Sequence, residues 1–128
     1  MRLLLDTCTF LWIIADASPL SRRARDLFRA ADSEVFLSAA SAWEIAIKES
    51  LGRLPLPDDV ERFIPEMREA HGIVSLPIDE ESALHVSRLP YLHRDPFDRL
   101  LVSQAIVHGL AILTPDPLVT QYPARTIW

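Results

Sequence analysis

Apolar residues cluster in short continuous runs that alternate with stretches of helical spacing. RLLLD at 2–6 reads as a buried strand, and 8–16 and 19–31 read as helices. The second of these opens at Ser18 and Pro19 and carries Leu20, Ala24, Leu27 and Phe28 on one face, with Arg22, Arg23, Arg25 and Arg29 largely off it. VFLS at 35–38 is a second strand, followed by a helix from Ser38 to Leu51 that Gly52 ends. Residues 57–70 form a polar-faced helix broken or kinked near Pro65, and IVSL at 73–76 is a third strand. Helices are expected at 79–89 and at 96–108, the latter closed by Gly109, with strands at 111–114 and at 125–128. Strands alternating with helices predict an α/β fold with a mostly parallel sheet covered on both faces.

A chain of 128 residues, 49% of them hydrophobic, can bury one core but not two, so one domain spanning 1–128 is expected. The polar segment 52–59 is a loop and not a linker. The first fifteen residues have a cationic start and an apolar stretch, but Asp6 interrupts it and no small-residue cleavage pattern follows. No membrane span is expected, and a lone cysteine, Cys8, suits a reducing cytoplasm.

A net charge of −5 excludes nucleic-acid binding by bulk attraction, so a phosphate ligand must be held locally. Twelve of the thirteen cations are Arg, a bias that suits phosphate oxygens but that a GC-rich coding sequence also produces.

Acids fall at particular places. Asp6 ends the first strand, Asp116 lies two residues past the fourth, Glu44 lies in the helix after the second, and Asp95 and Asp98 open the helix before the fourth. In open α/β sheets ligands sit beyond the carboxyl ends of the strands, at the switch in strand order, which all these acids can reach. Gathered carboxylates repel one another unless a cation joins them, and oxygen-only ligands select a hard divalent ion such as Mg²⁺. Removing Asp6, Glu44, Asp98 and Asp116 would take the net charge from −5 to −1.

Ordinary structural roles compete. Asp95 before Pro96 and Asp116 before Pro117 are N-cap patterns, Asp98 sits where an acid favours the helix dipole, and Ser41 with Glu44 fits a capping box. Asp6, directly after LLL, has no cap to make for its own strand, while Thr7 is placed to cap the next helix.

LLLDT at 3–7, SAASAWEIAIKESLGRL at 38–54, HRDPFDRLLVSQA at 93–105 and LTPD at 113–116 together resemble the PIN domain, specifically the VapC-type toxins of bacterial toxin–antitoxin pairs. That resemblance implies a five-stranded parallel sheet, a Mg²⁺- or Mn²⁺-dependent endoribonuclease, a cognate antitoxin and a homodimer. It implies catalytic roles for Asp6, Glu44, Asp98 and Asp116, with Asp6, Asp98 and Asp116 as metal ligands and Glu44 orienting or deprotonating the attacking water. Asp95 becomes a helix cap, water-bridged to the metal, and the Thr7 and Thr114 hydroxyls support the carboxylates. The family's products are a 5′-phosphate and a 3′-hydroxyl. Departures from its pattern are Cys8 and Pro115, the latter restricting Thr114 to an extended backbone.

Arg94 and Arg99 flank the acids and are candidates for holding phosphates, and Lys48 falls four residues after Glu44 on one helix face. His71, His85, His93 and His108 lack metal-ligand spacing, His93 being nearest the acids. Trp12, Trp43 and Trp128 are expected in the core or an interface, and FLWIIA at 10–15 is apolar enough to be covered by a second subunit. An aspartyl-nucleophile phosphatase would need a second Asp where Cys8 stands, and no GxGxxG follows a strand. The remaining alternative is a non-catalytic PIN-like interaction module.

Overall fold

The computed structural model describes residues 1–128. Its five strands, β1 (Arg2–Leu5), β2 (Glu34–Ser38), β3 (Val74–Leu76), β4 (Ala111–Leu113) and β5 (Thr126–Ile127), form one sheet in the order β3-β2-β1-β4-β5. Every adjacent pair is parallel, with Leu4 opposite both Phe36 and Ile112. The order reverses at β1, so the crevice between the carboxyl ends of β1 and β4 is the switch point.

Period-two alternation divides the core. Leu3, Leu5, Val35, Leu37, Ala111 and Leu113 face one side, with α1 (Thr7–Ala15), α2 (Arg22–Arg29) and α4 (Val60–Ala70) packed there through Phe10, Ile13, Ala24 and Ile64. Leu4, Phe36 and Ile112 face the other, against α6 (Pro96–His108) through Leu101, Val102 and Ala105, with Val119 from α7 (Pro117–Thr120). The remaining helices are α3 (Ala39–Ser50), which sends Ala40 to one side and Ile45 to the other, and α5 (Glu80–His85), which runs into a 3₁₀ turn at Val86–Arg88. Both faces are therefore covered, as the apolar runs implied. No helix is long and apolar enough to cross a membrane.

Two helices differ from the sequence reading. Helix α2 starts at Arg22, because Ser21 accepts from the Ala24 N–H and caps it, while Leu20 turns into the core and Pro19 stays in the preceding turn. Pro65 does not break α4; it and Glu61, whose carbonyl loses its usual donor, are both on the exposed side of the helix. Helix α3 is capped by Ser38, where the sequence reading starts it, leaving Ser41 and Glu44 free for a purpose other than a capping box. Helix α6, in contrast, runs from Pro96 to His108 as read from sequence and is closed by Gly109, whose φ of 66° is the left-handed cap expected of glycine. Trp12 and Trp128 pack edge-on at 5.7 Å beside the main core, and Leu11, Trp12 and Ile14 of the apolar α1 are partly buried against it within one chain.

Candidate active site

Asp6 leaves β1 at the switch point and is 4% exposed. It does cap a helix, contrary to expectation: Oδ1 accepts from the Thr7 N–H at 2.7 Å, and Thr7 lies inside α1. Its Oδ2 accepts from the Thr114 hydroxyl at 2.7 Å, and that hydroxyl oxygen in turn accepts from the Asp116 N–H at 3.1 Å. Thr114, at the end of β4, thus joins the two strand-end acids through one side chain.

Glu44, buried on α3, is held from two sides. Lys48 donates to Oε2 at 2.7 Å, the i,i+4 pair anticipated from spacing. The Thr7 hydroxyl lies 2.8 Å from Oε1 and 2.9 Å from the Ser41 hydroxyl; since a carboxylate only accepts, Thr7 donates to Glu44 and receives from Ser41. Ser41 belongs to this relay and not to a capping box, a link across distant residues that sequence spacing does not carry.

Asp95 caps α6, its Oδ1 accepting from the N–H groups of Phe97 (2.8 Å) and Asp98 (3.3 Å), while Oδ2 has no protein partner. Asp98, one turn inside, is 8% exposed and hydrogen-bonded through Oδ2 to His93 Nε2 at 3.0 Å. His93 is thus part of the acid cluster: ligand-capable atoms of His93, Asp95 and Asp98 all lie within 4.8 Å of one another. Asp116 is half-buried and caps α7, Oδ1 accepting from Leu118 N–H at 2.9 Å.

Electrostatics shows the convergence. Burial raises the Asp6 pKa, and Asp116 and Glu44 add to the rise, against the lowering effect of the Thr114 and Thr7 hydrogen bonds. Burial, then Asp95 and Asp6, push Asp98 up to about 7, with Glu44 contributing and His93 opposing. Carboxylates from β1, α3, α6 and the β4 exit therefore share one negative potential. Cys8 sits beside them, its thiol pushed up by burial first and then by Asp6 and Glu44, which disfavours the reactive thiolate.

The two flanking arginines part company. Arg94 is exposed beside a cavity of about 380 Å³ that Glu44, Lys48 and Asp95 also line. Arg99, expected to hold a phosphate, is 8% exposed and turned away: it donates to the carbonyls of Pro90 (3.0 Å) and Val86 (3.2 Å) and to the Tyr122 hydroxyl (3.1 Å). It fastens the 86–92 segment to α6 and has no reach for a substrate phosphate.

The donor set fits a hard divalent ion, being carboxylate oxygens that disfavour one another's charge and are buried beyond what isolated anions tolerate. A PIN domain family model matches residues 3–123. The chain belongs to the PIN-domain family. Over 53 residues it is 40% identical to Ribonuclease VapC16 of Mycobacterium tuberculosis (strain ATCC 25618 / H37Rv), a match covering 41% of this PIN domain chain and 38% of that protein. The fold is similar to VapBC2 from Rickettsia felis bound to a DNA fragment from their promoter (TM-score 0.75, 13% identity, covering 99% of this chain and 98% of that one). It is also similar to DNA-bound VapBC from Salmonella typhimurium (TM-score 0.66, 18% identity, 99% and 97% covered).

Proposed function

We propose that this PIN domain is a divalent-metal-dependent endoribonuclease acting as the toxin of a toxin–antitoxin pair. The reading is carried by the buried Asp6, Glu44 and Asp98 near the switch point, where Glu44 helps raise the pKa of both aspartates and Asp6 that of Asp98, with Asp116 tied to Asp6 through the Thr114 hydroxyl. The partial likeness to a ribonuclease and the fold shared with VapBC proteins support the reading.

Asp6 and Asp98 would hold a Mg²⁺ or Mn²⁺ ion, with Asp116 contributing, and Asp95 Oδ2 is free to reach it through water. When bound, such an ion lowers the pKa of attacking water and neutralises charge on the phosphate oxygens. The chain's own groups do the rest. Thr114 fixes the Asp6 carboxylate, and the Ser41–Thr7 relay with Lys48 fixes Glu44 so that it can orient the attacking water and accept its proton. Arg94 is placed to hold a phosphate, and hydrolysis would leave a 5′-phosphate and a 3′-hydroxyl. A basic antitoxin segment would suppress activity by covering the acids, and a homodimer completes the assembly by analogy with the family.

Cleavage of a panel of structured RNAs with Mg²⁺, Mn²⁺ or chelator, comparing the intact chain with Asp98→Ala, tests this. Metal-dependent cleavage lost in the variant supports it. Activity surviving the chelator rejects the metal mechanism, and no cleavage of any RNA favours a non-catalytic interaction module.

A further inference from the structure

Trp43, expected in the core or an interface, is 57% exposed. Its ring meets that of Phe97 edge-on, centroids 5.0 Å apart at 81°. The two rings therefore brace each other, and each directly precedes an acid of the site, Glu44 or Asp98. The exposed Ile47 on α3 and Leu51 at its C-cap continue from Trp43 at helical spacing. Ile47, Leu51 and the bracing Phe97, though not Trp43 itself, line the 380 Å³ cavity, at whose rim Arg53 and Arg94 stand exposed, neither making a side-chain hydrogen bond nor an ion pair. A braced open aromatic ring, two unpaired guanidiniums and a catalytic carboxylate next in sequence match a strand of alternating base and phosphate. A purely apolar partner would leave both guanidiniums unused.

Resting on the ribonuclease reading, we infer that Trp43 is a stacking platform for an unpaired nucleobase flanking the cleaved bond, with Arg53 and Arg94 holding adjacent phosphates. Stacking on an aromatic ring is tolerant of base identity, so the platform selects single-stranded over paired RNA at that nucleotide. Trp43 is a substrate-positioning residue and takes no part in proton transfer.

Binding of a labelled single-stranded RNA that the intact chain cleaves, measured by fluorescence anisotropy in an Asp6→Asn background, tests the platform. Trp43→Ala is expected to weaken binding about tenfold, and Trp43→Phe to restore most of it. Removing the bases to give an abasic strand should weaken binding similarly and abolish the difference that Trp43→Ala makes. Arg53→Ala with Arg94→Ala should flatten the salt dependence. The platform is overturned if Trp43→Ala leaves RNA binding unchanged, or costs as much on the abasic strand; an effect seen only on binding a basic peptide would also overturn it, assigning the strip to a protein. If the intact chain cleaves RNA while these outcomes fail, the platform alone falls; if it neither cleaves nor binds any RNA, the ribonuclease reading falls with it.

Discussion

Replacing Asp98 by Asn should stabilise the metal-free protein at high pH and hardly change it at low pH. The Asp98 carboxyl is raised from its ordinary 3.8 to about 7, by burial first and then by Asp95 and Asp6. Between those values the native state keeps a proton that the unfolded chain has released. The unfolded state then binds fewer protons than the native one, so stability falls as pH rises, and the loss is complete once pH exceeds 7. At 1.36 kcal/mol per unit the shift corresponds to about 4 kcal/mol, and screening by water at the groove reduces this to about 2 kcal/mol. Asn is neutral, has nearly the same shape, and keeps an oxygen for His93. In chelator, urea denaturation followed by circular dichroism should therefore show Asp98→Asn more stable than the parent by about 2 kcal/mol at pH 8, and equal within about 0.5 kcal/mol at pH 3, below the ordinary carboxyl value. Adding Mn²⁺ should reverse the order, since only the parent binds it tightly. A variant less stable than the parent by the same amount at both pH values would refute the reasoning and make Asp98 an ordinary structural carboxylate.

Further outcomes follow from individual contacts. Thr114→Val removes the hydroxyl that Asp6 accepts from and should cost about 1 kcal/mol in urea denaturation and about 10–100-fold in Mn²⁺ affinity by calorimetry. Arg99→Ala strips three hydrogen bonds from the 86–92 segment and Tyr122, so it should lower stability by about 2–3 kcal/mol while leaving KM for RNA nearly unchanged in the folded enzyme. Cys8, whose thiol is held protonated by burial and by Asp6 and Glu44, should react slowly with iodoacetamide in chelator and faster when Mn²⁺ neutralises those acids, as mass spectrometry would show.

What could be read from sequence was set by local chemistry. Asp95 and Pro96 at one end of α6 and Gly109 at the other are short-range signals, and that helix has the boundaries they imply. The sheet was legible because LLL, VFL and AIL must be buried on both faces, which demands helices above and below. Elements failed where a competing local signal stood nearby: Ser18 with Pro19 masked the real cap at Ser21, and Pro65 marked a break that an exposed helix face absorbs. At the site, the acids' positions near strand ends followed from the pattern. Side-chain direction did not: Arg94 and Arg99 are alike in sequence, yet one is exposed by the groove and the other is consumed by loop carbonyls. The Ser41–Thr7–Glu44 relay and the His93–Asp98 contact arise only when α1, α3 and α6 meet at the sheet edge.

Direct titration of Mn²⁺ into the protein, followed by calorimetry alongside the electron paramagnetic resonance signal of free Mn²⁺, bears most directly on the carboxylate cluster as an ion site. The parent should take up Mn²⁺ with release of protons at pH 6, because Asp98 enters binding largely protonated, and Asp6→Asn or Asp98→Asn should lose that uptake. Parent protein that leaves all the Mn²⁺ free, or binds it equally well after both substitutions, would contradict the account.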